Sequence, residues 1–157
     1  MQKILVIGGP GNISSSTLQE LVEKGYQTGL FSTPSSHFYE VDRRVRIFPG
    51  DRNETGQLER TFAEFKPDAV LDLACYTPDQ AVRAVEMAAG KVAQYLFAST
   101  VDVYGYPLAR LPMREADPWQ EKALSQYAAN KRTCEEIFLA HQDPVMFPLT
   151  IVRPAYS

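Results

Sequence analysis

Tyr127 and Lys131 stand four residues apart in YAANK, a spacing that sets a phenol and an ammonium one turn apart on the same side of a helix. A phenol with a pKa of about 10 is a poor base at neutral pH, and lowering that value by about three units takes roughly 4 kcal/mol of preferential phenolate stabilisation. A neighbouring ammonium works in that direction, as does an oxidised nicotinamide. Near the amino terminus, Lys3 to Ser14 reads KILVIGGPGNIS, an apolar run that breaks into a glycine-rich turn. Such a turn is built to receive a dinucleotide. The two segments together point to redox chemistry at a carbon bearing a hydroxyl.

Those residues must be positioned by alternating strands and helices. Apolar runs near 3–8, 26–31, 46–48, 69–73, 95–98 and 149–152 alternate with helical periodicities, the pattern of a parallel sheet covered on both faces. A first helix is predicted from about Asn12, with Ile13, Leu18, Leu21 and Val22 on one face and Gly25 ending it. A second starts at Asn53, carries Leu58, Phe62 and Phe65 inward and stops at Lys66-Pro67. Thr77-Pro78 opens a third, running through Val82 and Val85 to Gly90. Asp117-Pro118 is read the same way, opening a long helix to about His141 on which Leu124, Tyr127, Lys131, Cys134 and Phe138 form one inward stripe. Lys131 is then a cation on a buried face, where an unpartnered ammonium is costly unless it has work to do. Residues 32–44 are polar and turn-rich and read as a loop.

With 157 residues, 45% of them hydrophobic, the chain suits one domain, expected to span residues 1–157. A net charge of −3 with acids and bases interspersed gives no electrostatic footprint for nucleic acid or an anionic membrane. No apolar stretch approaches the roughly 20 residues needed to cross a bilayer, and the start lacks the features of a secretory signal. Cys75 and Cys134 lack zinc-type spacing, so no metal site is expected and a reduced cytoplasmic protein fits best.

In the glycine turn, Gly8 and Gly11 permit backbone angles and close approach that a side chain blocks, and the helix start, with Asn12 and Ile13, offers amides to a pyrophosphate. A ligand-free strand-to-helix turn is the simpler alternative. About 20 residues on, where an acid would hold the ribose 2'-hydroxyl of NAD, the chain reads Leu30-Phe31-Ser32-Thr33. Ser32, Thr33, Ser35 and Ser36 with Arg43 or Arg44 would surround the 2'-phosphate of NADP, or simply form a solvated turn. Both cofactors stay open. Leu73-Ala74-Cys75 ends a strand at the carboxyl edge where nucleotides bind in such sheets, and its small side chains fit plain packing as well.

The spacing Gly8, Gly11, Ser14 resembles the GxxGxxG turn of extended short-chain dehydrogenases, the NAD-dependent epimerase/dehydratase family, with serine at the third glycine. Ser99-Thr100-Val101-Asp102-Val103-Tyr104-Gly105 resembles the S-S/T-x-x-V-Y-G segment of nucleotide-sugar epimerases and dehydratases, and Val152-Arg153-Pro154 the R-P segment ending the sixth strand. The resemblance implies a Rossmann-like doubly wound α/β sheet of about six strands in the order 3-2-1-4-5-6. It implies a catalytic trio of Thr100, Tyr127 and Lys131, with Thr100 holding the substrate oxygen and Lys131 also bonding the nicotinamide ribose. Asp51, in Gly50-Asp51-Arg52, is implied as acceptor of the adenine amino group, with a helix-start carboxylate as the other reading. The backbone of Leu73, Ala74 and Cys75 would lie along the cofactor. In sugar 4,6-dehydratases the middle segment reads T-D-E-V-Y-G. Here Val101 replaces the first acid and Asp102 stands for the second, which favours oxidation, reduction or epimerisation over dehydration.

The expected function is therefore hydride transfer at a hydroxyl or keto carbon, as of a nucleotide sugar, in the cofactor-binding portion of such an enzyme. The resemblance implies that complete members continue into a carboxyl-terminal substrate domain, so residues 1–157 are expected to be the cofactor-binding domain alone, as a fragment or as a naturally short relative. The alternatives are a non-catalytic dinucleotide-binding or regulatory module and, against the acidic balance, an RNA-binding relative. Homodimers form in the family through the helices after the fourth and fifth strands, where Ile137 or Leu139 would contribute.

Overall fold

The computed structural model describes residues 2–34 and 39–155. Six parallel strands form one sheet in the order β3-β2-β1-β4-β5-β6: β1 Lys3–Ile7, β2 Gln27–Ser32, β3 Arg46–Pro49, β4 Ala69–Asp72, β5 Gln94–Ala98 and β6 Leu149–Val152. Four helices connect them: α1 Asn12–Glu23, α2 Gln57–Phe65, α3 Pro78–Ala88 and α4 Gln126–Ala140. This is the doubly wound arrangement expected, and the chain order reverses between β1 and β4, the switch point where a crevice opens at the carboxyl ends of the strands.

Alternate strand residues feed two unequal layers. Leu5, Ile7, Phe31, Phe48, Val70, Tyr95 and Phe97 meet α2, α3 and α4 in a large core rich in aromatic rings. Val6 and Leu30 meet Leu18 and Val22 of α1, with Val45, in a small cluster on the other side. Burial on both faces explains why the strands read as continuous apolar runs rather than alternating ones.

Several element boundaries differ from the expected ones. Asp117-Pro118 does not open α4. The Asp117 carboxylate accepts from the Arg114 amide (2.8 Å) and its own amide bonds back to Arg114, which closes a turn. The helix starts at Gln126, where the Ser125 hydroxyl accepts from the Ala128 amide (3.1 Å) as N-cap. Leu124 therefore precedes the helix and is exposed, and of the expected stripe only Lys131, Cys134 and Phe138 are buried, with Tyr127 at the rim. Likewise α2 begins at Gln57 rather than Asn53, because the Asn53 amide is taken by the Asp51 carboxylate (2.8 Å) in a turn. Ile13 and Val82 are exposed and not inward-facing, and Ser14 takes the buried position at the start of α1.

Candidate functional site

The turn from β1 to α1 fixes the first wall. Gly8 and Gly9 have φ of +96° and +125°, a region open to glycine and strained for other residues. A methyl on Gly8 would stand 2.4 Å from the Ala74 Cβ, and one on Gly9 would stand 2.2 Å from the Ser14 hydroxyl. Both positions are therefore closed by the protein itself. Gly11 differs: it is extended, and a methyl there would meet nothing nearer than Ser14 Oγ at 3.8 Å, so its open side belongs to the cleft. Ser14, in the place of a third glycine, accepts from the Gly11 amide (2.7 Å). The amides of Asn12 and Ile13, in the first turn of α1, have no partner within the helix.

These residues line a cleft of about 500 Å³ together with Leu73, Ala74, Thr100, Tyr127 and Lys131. A second recess of about 290 Å³ holds Ser32, Asp51 and Arg52 and shares Gly8, Gly9, Ala74 and Tyr76 with the first. The two make one continuous trough across the carboxyl ends of the strands. The phosphate-type turn and the phenol-ammonium couple thus meet at one rim, as the chemistry requires.

Lys131 is 1% exposed. Its Nζ donates to the Ala98 carbonyl (2.6 Å) and lies 4.7 Å from the Phe97 ring centroid, 5.1 Å from that of Tyr76 and 5.7 Å from that of Tyr127. Burial pushes its pKa below the ordinary value, and the charge of Asp72 pulls it back. Among the described residues this is its one hydrogen bond, which leaves two of its three N–H donors for a ligand in the cleft. Tyr127 departs from the expectation. Its pKa is raised, by burial first and by Tyr76 next, with the Thr100 hydroxyl acting the other way. Lys131 lies toward the face of the Tyr127 ring and donates its hydrogen bond to the Ala98 carbonyl. Thr100 N-caps the short 3-10 turn Val101–Tyr104, accepting from the Asp102 amide (3.2 Å), and Asp102 also borders the cleft.

Other expected ligands fall differently. The Arg52 guanidinium is buried and bonded to the Asp72 carboxylate (2.7 Å), so it walls the recess as half of an ion pair. The Cys75 side chain is buried in the core, its thiol donating to the Thr77 carbonyl (4.0 Å), and lines neither part of the trough. Asp51 borders the recess, and its carboxylate closes the turn at Asn53 rather than starting a helix, since α2 begins only at Gln57. Arg44 is paired with Asp42 (2.7 Å), Arg43 is exposed, and Ser35 and Ser36 lie outside the described residues.

Three contributors had weaker signals. Gly9 was hidden beside Gly8, and Tyr76, a wall of both halves, carries none. Asp72 was visible as the lone acid in the apolar run Ala69-Val70-Leu71-Asp72-Leu73.

The residues present fit a dinucleotide. Gly11 leaves room that a Cβ would fill, the first-turn amides suit a pyrophosphate, and the Ser99 hydroxyl is buried at the cleft wall with no partner among the described residues. No helix among the described residues is long and apolar enough to cross a membrane.

Residues 4–156 match the model of the NAD dependent epimerase/dehydratase family. The chain is 27% identical over 150 residues to UDP-glucose 4-epimerase of Rhizobium meliloti, covering 85% of this chain and 45% of that one. It is 30% identical over 143 residues to 2'-dehydrokanamycin reductase of Streptomyces kanamyceticus, covering 85% of this chain and 37% of the relative. Among solved structures it resembles UDP-glucose 4-epimerase of Thermotoga maritima with UDP-glucose, with a TM-score of 0.84, 22% identity and 97% and 55% of the two chains covered. It also resembles the Bordetella bronchiseptica enzyme WbmG in complex with NAD and UDP, with a TM-score of 0.78, 23% identity and 96% and 52% covered. The chain spans about half the length of the epimerases it matches.

Proposed function

Because the chain belongs to the NAD dependent epimerase/dehydratase family, we propose that it forms the cofactor-binding and proton-transferring half of an oxidoreductase or epimerase acting at a hydroxyl or keto carbon of a nucleotide sugar. The observation that carries this reading is the single cleft shared by Gly11, Thr100, Tyr127 and Lys131. In it Gly11, Asn12 and Ile13 receive the pyrophosphate, while Ser32 and Asp51 face the adenosine half through the adjoining recess. NAD is the cofactor favoured, in keeping with the family's NAD dependence, and the guanidinium of Arg52, which borders the recess, is committed to Asp72.

When bound, the nicotinamide supplies the hydride acceptor and a positive ring. Thr100 holds the substrate oxygen, and Tyr127 accepts or returns the proton at its phenol oxygen. Lys131, with two donors to spare, orients the ribose and keeps a positive charge under the ring of Tyr127. General acid-base groups of this kind contribute about 10²–10⁴-fold to rate. Tyr127→Phe is accordingly expected to lower turnover of UDP-glucose by about 100-fold or more while leaving NADH affinity within twofold. Undiminished turnover in that variant would mean that another group moves the proton.

A second reading, a dinucleotide-binding module without chemistry, draws support from the raised pKa of Tyr127. Titration with NADH and NADPH, followed separately by a turnover assay, divides the two. A module binds without reacting.

A further inference from the structure

Asp72 ends β4 with its side chain fully buried and its carboxylate bonded on both oxygens. One oxygen accepts from Arg52 (2.7 Å) and from the Ala74 amide (3.2 Å), and the other accepts from the Tyr95 hydroxyl (2.6 Å). The Arg52 side chain is 7% exposed. A buried ion pair adds little net stability over an apolar pair of the same shape, so its presence under the trough calls for another explanation.

The sheet register supplies one. Asp72 is the β4 partner of Phe97 on β5, so the two side chains project from the same face of strands about 4.8 Å apart. Lys131 Nζ lies 4.7 Å from the Phe97 ring and bonds the carbonyl of Ala98, the next residue. Asp72 and Lys131 therefore flank one aromatic ring on one face. Lys131 takes part in none of the ion pairs among the described residues. The groups that face it are Asp72, Cys75 and Tyr76 at the end of β4, Arg52 after β3, Tyr127 and Cys134 on α4, and only uncharged atoms of Phe97 and Ala98 on β5. Asp72 is the one carboxylate in that set.

We propose that Asp72 is a positioning residue of the site, a buried carboxylate that keeps Lys131 charged beneath the cleft while Arg52 and Tyr95 hold that carboxylate in place. The role rests on the reading of Lys131 as the cation of the site. It also assigns Arg52 a task other than contact with the cofactor: its charge tempers the pull of Asp72, and its bond fixes Asp72 beside the Ala74 amide at the point where the two halves of the trough join.

The test is a direct titration of Lys131 by NMR in protein carrying ¹³Cε-lysine, with the signal assigned by its loss in Lys131→Arg. Asp72→Asn is expected to lower the Lys131 midpoint by about one unit or more, and Arg52→Gln to raise it. The double variant Arg52→Gln/Asp72→Asn keeps hydrogen-bonding groups on both sides and serves if either single variant fails to fold. Its midpoint is expected below the wild-type value, by less than in Asp72→Asn alone. An unmoved or raised midpoint in the double variant overturns the proposal, as does a shift of the same sign in both single variants, which is what general loosening would give. The outcome is separable from that of Tyr127→Phe: a static Lys131 titration removes the role of Asp72 and leaves the cleft chemistry standing, whereas undiminished turnover in Tyr127→Phe does the reverse.

Discussion

Gly8, Gly9 and Gly11 sit within four residues of one another, yet the physical demands on them are unlike. At Gly8 the positive φ and the 2.4 Å approach to Ala74 make any side chain a matter of folding. At Gly11 neither constraint acts, and only a ligand would object to a methyl group. Gly8→Ala is therefore expected to cost about 1–3 kcal/mol in urea unfolding. Gly11→Ala should stay within about 0.5 kcal/mol of wild type while NADH affinity, measured by fluorescence titration, falls at least tenfold. The reverse pattern would make Gly11 a packing glycine. That Tyr127 and Lys131 share the cleft of the glycine turn was legible from residue type and spacing, and the place of Thr100 there from the family resemblance. The raised pKa of Tyr127 was not legible, since it depends on how far the folded rim buries the phenol and on Tyr76 standing beside it. Nor was the burial of Arg52 against Asp72, two residues that only the folded sheet brings together.

The elements were read well where an apolar run or a proline-led cap had no competitor. Thr77-Pro78 opens α3 as expected, with the Gln80 amide on the Thr77 hydroxyl (3.4 Å). Asp117-Pro118 has the same local chemistry but closes a turn, because residues after it are held by distant partners: the Gln120 amide bonds the Tyr104 carbonyl (2.8 Å), and the Trp119 ring lies under Arg132 and Arg153. A capping dipeptide is thus ambiguous until tertiary contacts choose between helix and turn. Ser125→Ala should cost about 1 kcal/mol in thermal or urea unfolding, the usual loss for an N-cap. Asp117→Ala should cost less than half of that. Equal effects would place the working start of α4 upstream of Ser125. Since Tyr127 sits in the first turn of α4, the cap also decides how firmly the phenol is held.

The molecule as a whole is an asymmetric sandwich. Its strand order follows from the family resemblance, and its two buried faces from the unbroken apolar runs, but nothing in the periodicity tells how unequally the faces are covered. α2, α3 and α4 share one large core, while α1, which carries the pyrophosphate-type turn, rests on a cluster of a few aliphatic side chains around Leu18 and Val22. Regions with few buried contacts open at lower free energy than the rest of a fold. The amides of α1 should thus exchange with deuterium sooner than those of α4, and saturating NADH should slow α1 most. Uniform protection would mean that the layer is held by more than its packing. The end of the protein that grips the ligand would then be the end that the ligand itself finishes folding.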